Sequence, residues 1–399
     1  MSRDGGDVRA GGNEAALILL LFLVLFLASV DNQLLIPLVP TLSREFGISV
    51  ATMGWVFSVY ALAAAAFNLA FGPLTDRFGR VVFLRGGLLF FSLMAALTTQ
   101  VHSFEGLLAV RAGTGLAAGL LSTCTASFVG DAFPYQRRGR AMGMVLSSYF
   151  AALIFGIPLS SWVADRWGWH VVFTGSSSLA AALALGAFLL MASDRRQHRE
   201  VLVSYRAAYR RLLASRPTAA ALVTSLLISG GTLTFLTYIS GYLAETFGLS
   251  TVQISMVFLV SGLGAVFASP ISGWLSDRWT KRHVFLASNS LLVAPLALLT
   301  LLGYGPLLFV GIFLISLSIS FRQTALQTLQ TELISLQKRG SFLALRNGFS
   351  QLGISLGVAV AGLLYSSYGY VAVTVLAALL TLGGSVMLFA FVPEPDHRS

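Results

Sequence analysis

The chain is short of most things that a water-soluble protein of its length contains. Charged residues occupy 11% of its 399 positions, against about 25% in a soluble domain. It has one cysteine, Cys124, so no intrachain disulfide can form; lying in an apolar run, that residue reads as small packing. Its five histidines (His102, His170, His198, His283, His397) have no ligand spacing, which argues against a metal site. A P-loop, a dinucleotide fingerprint and a nucleophile elbow are all missing, so neither ATP-driven chemistry nor hydrolysis is expected, and no catalytic residue or cofactor with them.

Apolar residues are what the chain has in excess. They make up 56% of the sequence, and the mean hydropathy is +0.80. A chain of this length cannot hide so much apolar surface from water, so lipid must be its solvent. The net charge of +10 does not mark a nucleic-acid partner, because of where the charges lie.

Ionisable residues punctuate the apolar runs. Uncharged stretches at 15–30, 46–75, 86–101, 112–130, 141–164, 171–193, 217–244 and 246–276 give eight spans. Two longer stretches hold two spans each: 284–321 is divided by Gly303-Tyr304-Gly305-Pro306, and 347–393 by Ser366-Ser367-Tyr368-Gly369. The expected total is twelve. With the N-terminus inside, 21 of the 26 basic residues fall on the cytoplasmic side; Arg44 and Arg166 fall opposite, and Arg111, Arg322 and Arg346 lie within spans. That bias places both termini in the cytoplasm. The first span carries Asp31-Asn32-Gln33 at its outer end and lacks a small-residue cleavage site, which is unlike a signal peptide. The expected organisation is a cytoplasmic tail (1–14), a six-helix bundle (15–193), a cytoplasmic linker (194–216), a second bundle (217–393) and a tail (394–399). The linker holds seven arginines; its stretch Tyr205 to Leu213 either rests on anionic headgroups or belongs to a connector that only enforces topology.

The chain also repeats itself at a constant offset of 201 residues. Phe46, Gly47 and Ser49 recur as Phe247, Gly248 and Ser250; Gly72, Leu74, Asp76 and Arg77 as Gly273, Leu275, Asp277 and Arg278. Gln136, Arg138 and Gly139 recur as Gln337, Arg339 and Gly340, and Gly168 as Gly369. Most of these matches are polar loop residues, where apolar composition cannot generate them by chance. The fold class expected is an all-α membrane protein, twelve transmembrane helices in two pseudo-symmetric six-helix bundles in parallel orientation, with a site at the midplane between them.

Gly72-Pro-Leu-Thr-Asp76-Arg77-Phe-Gly79-Arg80, between spans 2 and 3, resembles the signature loop of the major facilitator superfamily. Gly273-Trp-Leu-Ser-Asp277-Arg278-Trp-Thr280 is its second copy, with Thr280 in place of the second glycine. Arg111-Ala-Gly-Thr-Gly115-Leu-Ala-Ala-Gly119 in span 4, and Asp31 followed by Pro37 and Pro40 in span 1, are similar to motifs of its twelve-span drug/proton antiporter and sugar-efflux branches. Span 5 departs from the antiporter pattern: Gly156-Ile157-Pro158-Leu159-Ser160-Ser161 splits the Gly-Pro pair and stands closer to the sugar-efflux variant. The resemblance implies a secondary transporter that moves a small drug-like or sugar-like molecule by alternating access, driven outward by a proton gradient and working as a monomer. The alternatives are an organic-anion facilitator, symporter or exchanger using Arg322 and Arg346, and a membrane sensor or intramembrane enzyme. Two lysines (Lys281, Lys338) among 26 basic residues, and no Asn-X-Ser/Thr sequence, point to a bacterial inner membrane.

The candidate site residues fall into three groups. Gly72, Asp76, Arg77, Arg80, Gly273, Asp277 and Arg278 form either a cytoplasmic gate, each carboxylate lying near a helix N-terminus of the other half, or simple topogenic charge. Asp31 and Arg111 each lie roughly 10 Å below the outer surface at about 1.5 Å per residue, Asp31 about seven residues before the end of span 1. As a pair they are either a proton-coupling site or a permanent salt bridge. Arg322 and Arg346 have no acid in their spans. They either meet an anionic substrate, or snorkel, or pair with Glu332. Asn347 and Gln351 share a helical face. With Asn32, Gln33, Asn68, Tyr149, Thr232, Tyr238 and Gln323 they complete the substrate-cavity candidates. Gly115 and Gly119 read as close helix packing.

Overall fold

The computed structural model describes residues 13–70, 79–191, 205–334 and 339–393, and every regular element among them is helical. Spans 1 to 4 are α1 (Asn13–Phe46), α2 (Val50–Ala70), α3 (Arg80–Thr98) and α4 (Phe104–Ala132). Span 5 is assembled from α5 (Tyr135–Leu146), α6 (Ser148–Ala151), a π-helical turn Ala152–Gly156 and α7 (Ile157–Trp167); span 6 is α8 (Trp169–Leu190). A short α9 (Tyr205–Ala214) leads into α10 (Arg216–Phe247), α11 (Thr251–Arg278), α12 (Lys281–Leu298), α13 (Pro306–Glu332) and α14 (Arg339–Phe391). At 1.5 Å per residue α14 is about 80 Å long, more than twice a hydrocarbon core of about 30 Å. It is two spans in one, because the backbone leaves helical geometry at Gly369 (φ 70°, ψ −168°). Twelve spans result, as the sequence led us to expect.

The repeat is written into the backbone. Gly47 (φ 65°) and Gly248 (φ 67°) end α1 and α10, while Gly168 (φ 85°) and Gly369 (φ 70°) turn the chain between the last two spans of each half. Residues with a β-carbon rarely adopt these left-handed angles, which is why glycine returns at the same offset. Where the repeat breaks, the geometry breaks with it. Gly79 has φ 95°, but Thr280 in the second half has φ −74°, and its hydroxyl caps α12 by accepting from the His283 amide.

Two seams join the bundles. Along one, α2 packs on the first part of α14; on the other, span 5 packs on α11. Glycines allow both contacts: Gly348 faces Leu69 on the first seam, and Gly262 faces Leu153 and Ile154 on the second. Inside the first bundle Gly115 and Gly119 lay α4 on the Tyr60 and Ala64 carbonyls of α2, the close packing expected of that motif. We call the end holding Asn13 and Phe391 the termini face and the opposite end the far face. One apolar cluster runs through both bundles toward the far face, from Leu34, Val39, Met53 and Phe57 to Phe235, Tyr238, Ile254 and Val358. Toward the termini face there are two clusters instead. One is built on Leu21, Leu88 and Leu121, the other on Phe285, Leu329 and Phe342, which Leu69 alone of the first bundle's described residues joins.

Two expectations need correction. Span 1 does not end shortly after Asp31: α1 continues through Pro37 and Pro40 to Phe46, about 22 Å of helix beyond the carboxylate at 1.5 Å per residue. Asp31 therefore lies at mid-helix. The prolines are accommodated inside a buried helix, where neighbouring helices can satisfy freed backbone groups. The Tyr205 to Leu213 stretch does form an amphipathic helix, α9, but part of its apolar face rests on protein, while Leu213 stays exposed. Leu212 is buried and, with Tyr209, packs into the termini-face cluster of the second bundle, while Arg210 and Arg211 are exposed.

Candidate functional site

The expected pairing of Asp31 with Arg111 is formed. Asp31 projects from α1 and Arg111 from α4; Arg111 Nη1 donates to Asp31 Oδ2 at 2.9 Å, and both side chains are 0% exposed. Arg111 Nη2 reaches the Asp31 carbonyl at 3.4 Å, and the guanidinium carbon stands 4.3 Å over the Tyr60 ring of α2. A cation over an aromatic face is held by the ring quadrupole, so Tyr60 fixes the arginine from a third helix. The pair is incompletely satisfied: Asp31 Oδ1 and Arg111 Nε have no hydrogen-bond partner among the described residues. Desolvating two charges is repaid only when the remaining donors and acceptors are met, so this is an expensive arrangement for mere stability.

The neighbouring backbone is shaped around the pair. Gly156, which closes the π turn of span 5, lies against Val30 beside Asp31, and the same turn touches Gly262 of α11 through Leu153 and Ile154. Pro158 follows two residues on, in the first turn of α7, where a missing amide hydrogen is tolerated. Span 5 thus touches the carboxylate's own helix and the second bundle with one irregular turn.

In the second bundle Arg322 of α13 is 1% exposed. Its Nη1 donates to Asn289 Oδ1 on α12 (3.2 Å) and to Thr381 Oγ1 on α14 (3.1 Å), and its Nη2 donates to Thr232 Oγ1 on α10. Pairing with Glu332 does not occur: Glu332 Oε2 accepts from Lys281 Nζ at 3.1 Å. Arg346 is half-buried and donates to Asn347 Oδ1 at 3.2 Å.

The remaining candidates separate. Asn68 is buried and accepts from Thr123 on α4 (2.7 Å), which commits it within the first bundle. Tyr238 is buried between Gly54 and Gly362, and its hydroxyl donates to the Val358 carbonyl at 2.9 Å. Gln33 is buried; Asn32, Asn347 and Gln351 are half-buried; Tyr149 and Gln323 are exposed. Of the signature loops, Gly72, Asp76 and Arg77 lie outside the described residues, as does the Asp277 side chain. Arg80 Nη1 donates to the Ser127 carbonyl at 2.7 Å, Gly273 lies within α11, and Arg278 stacks its guanidinium 4.3 Å over Trp274. Sequence reasoning missed Tyr60, Asn289 and Thr381, which are polar or aromatic residues in apolar spans with no charge to mark them. It also missed one signal in plain view: the offset of 201 carries Asp31 onto Thr232.

Comparison with known proteins agrees with this architecture. The chain is 27% identical over 98% of its length, and 96% of the relative's, to the uncharacterized MFS-type transporter YwfA of Bacillus subtilis. It is 24% identical over 90% of both chains to the multidrug resistance protein MdtG of Klebsiella pneumoniae. In shape it matches the crystal structure of a bacterial homologue of the human lysosomal transporter Spinster, with a TM-score of 0.80 over 97% of this chain and 100% of that one, at 16% identity. The family model of the Major Facilitator Superfamily matches residues 21–250 and again 220–399. Two six-span halves, a repeat that ties them together and a family match over both make the chain a multi-pass membrane transporter of the Major Facilitator Superfamily.

Proposed function

We propose that this chain is a proton-coupled secondary transporter that exports a small molecule by alternating access, with the Asp31–Arg111 pair as its coupling element. The observation that carries the reading is a buried carboxylate held by one oxygen only. Asp31 Oδ2 neutralises Arg111 while Oδ1 is left without a partner among the described residues. A proton arriving on that carboxylate releases Arg111 from its only carboxylate partner among the described residues, and the buried cation must then find another contact. Ionisable residues at such depth are retained for function, because membrane burial makes them costly. The exchange of partners is the step that ties proton entry to a change in how the bundles pack.

The core supports the direction of opening. The bundles share one apolar cluster toward the far face and part into two toward the termini face, which the positive-inside distribution assigns to the cytoplasm. The chain is therefore read as open to the cytoplasm, the same state named for the Spinster homologue, which was solved inward-facing and unoccupied. The loops bearing Asp76 and Asp277 would close that side in the opposite state. Similarity to MdtG, a multidrug resistance protein, favours export over uptake. Purified protein in proteoliposomes tests the reading. An imposed pH gradient should drive solute movement in the wild type and fail to drive it in Asp31→Asn. Equal flux with and without the gradient would sink it.

A further inference from the structure

We infer that Arg322 seats the anionic group of the transported molecule, a planar oxyanion such as a carboxylate or nitrate, at the junction of α10, α12, α13 and α14. The inference rests on the transporter reading and narrows its cargo from drug-like or sugar-like molecules in general to small anions.

The two bundles share part of a plan at this point: the first-span positions correspond at the offset of 201, while the arginines stand at different heights on the fourth span, since that offset carries Arg111 onto Ile312. In the first, an arginine on the fourth span (Arg111, α4) reaches a polar residue on the first span (Asp31, α1). In the second, an arginine on the fourth span (Arg322, α13) reaches a polar residue on the first (Thr232, α10). Thr232 is the residue that the offset of 201 aligns with Asp31. A hydroxyl therefore stands where the other half keeps its carboxylate, and the cation it meets is left without a counter-charge.

The remaining partners of Arg322 do not supply one. Asn289 Oδ1 at 3.2 Å and Thr381 Oγ1 at 3.1 Å are neutral acceptors, and the carboxylate nearest in sequence, Glu332, is held by Lys281 at 3.1 Å. Among the described residues no carboxylate touches Arg322 or Arg346. Burying an uncompensated ion costs several kcal/mol even after relaxation. A chain that neutralises Arg111 and leaves Arg322, 1% exposed, with neutral oxygens keeps a position for a charge that comes from elsewhere.

The shape of the vacancy in the hydrogen-bond count fits one ligand class. A guanidinium has five N–H donors. Three are used, two on Nη1 and one on Nη2. Nε has no partner among the described residues, so the donors uncommitted there are Nε–H and one hydrogen of Nη2. These two nitrogens form one edge of the planar fork, the edge that two oxygens of a carboxylate or nitrate engage together. A cationic drug would be repelled here, and a neutral sugar would forgo the charge-assisted part of the bond.

The test uses the whole purified protein in detergent and three probes: benzoate, its neutral isostere benzamide, and nitrate. Isothermal titration should give the wild type an affinity for benzoate or nitrate at least about tenfold above that for benzamide, the gap expected when a charge-assisted bond is present. Benzoate without nitrate would assign an organic cargo, and nitrate without benzoate an inorganic one. Arg322→Gln should abolish the discrimination. Should that variant misfold, Thr232→Asp is the decisive partner. It places in the second bundle the carboxylate that Asp31 supplies in the first, so it should keep the thermal stability of the protein while removing anion binding. Equal binding of benzoate and benzamide, no anion binding by the wild type, or anion binding retained in Thr232→Asp would each overturn the proposal. Its failure is separable from failure of the transporter reading. Proteoliposomes in which a pH gradient drives neutral solutes but ignores both anions sink the anion seat alone. Anion binding through Arg322 without any gradient-driven flux sinks the coupling alone.

Discussion

Gly156 lies so close to Val30 that a β-carbon on the glycine would stand 2.3 Å from Val30 Cγ2. Val30 precedes Asp31, so the π turn of span 5 presses on the helix that carries the buried carboxylate. The same turn meets Gly262 of the second bundle, where a β-carbon would fall 3.1 Å from both Leu153 Cβ and Ile154 Cγ1. One irregular turn therefore links the ion pair to a seam between the bundles.

Gly156→Ala should push span 5 off span 1 and disturb the Asp31–Arg111 geometry. Overpacking of this kind costs about 1–3 kcal/mol. The expected outcome is a lowered melting temperature with transport reduced more than stability accounts for. Gly175→Ala, where nothing lies within 4 Å of the added carbon, is the control and should leave transport unchanged.

Asp31→Asn removes the only carboxylate partner of Arg111 among the described residues. Leaving one member of a buried pair uncompensated typically costs about 3–5 kcal/mol, whereas replacing both members by apolar groups is often neutral. The double variant Asp31→Leu/Arg111→Met should therefore melt higher than Asp31→Asn, and neither should respond to a pH gradient. If the double variant regains gradient-driven transport, the pair is structural only.

Gly168 and Gly369 hold equivalent turns at φ 85° and φ 70°. With ψ near 180° at both (153° and −168°), an alanine at either should cost roughly 1–3 kcal/mol of strain, read as a fall in melting temperature of similar size for both. No added carbon meets a neighbour within 4 Å at either glycine, so sterics do not confuse the result. Unequal effects would show that the two halves do not share the turn's energetics.

Thr280→Ala deletes the hydroxyl that caps α12 and should destabilise the protein by about 0.5–2 kcal/mol. Thr280→Gly restores the residue that the first half has at Gly79 and should cost less, since glycine is itself an acceptable N-cap. Thermal melts of the two variants side by side decide the matter.

Tyr238→Phe removes a hydroxyl that donates to the Val358 carbonyl at 2.9 Å between two glycines of opposite bundles, Gly54 and Gly362. Val358 lies inside α14, where its carbonyl keeps its helical bond, so the loss is that of one hydrogen bond, about 0.5–1.5 kcal/mol. The expected consequence is a shift toward conformations open at the far face, measurable as faster labelling of single cysteines introduced along the far-face end of α2. Unchanged labelling would mean that the shared apolar cluster seals that face without the tyrosine.

By itself the sequence determined the solvent, the number of spans and the two-fold plan. Each of these follows from one-dimensional facts: run lengths set by bilayer thickness, charges kept to one side, and turn glycines returning after 201 residues. It also pointed to the ion pair, since Asp31 and Arg111 are the acid and the arginine within the spans of one half, with few other partners to find. The length of α1 was not legible, because Pro37 and Pro40 read as an ending until a buried position lets a helix carry them. The side of α9 that is buried was not legible either, because an amphipathic face fits lipid and protein equally well. Only the tertiary structure decided what surrounds Arg322. The repeat points to Thr232, but Asn289 and Thr381 come from two further helices and carry no charge or spacing that marks them in the chain, and whether a buried cation meets a carboxylate or a hydroxyl depends on how those helices pack.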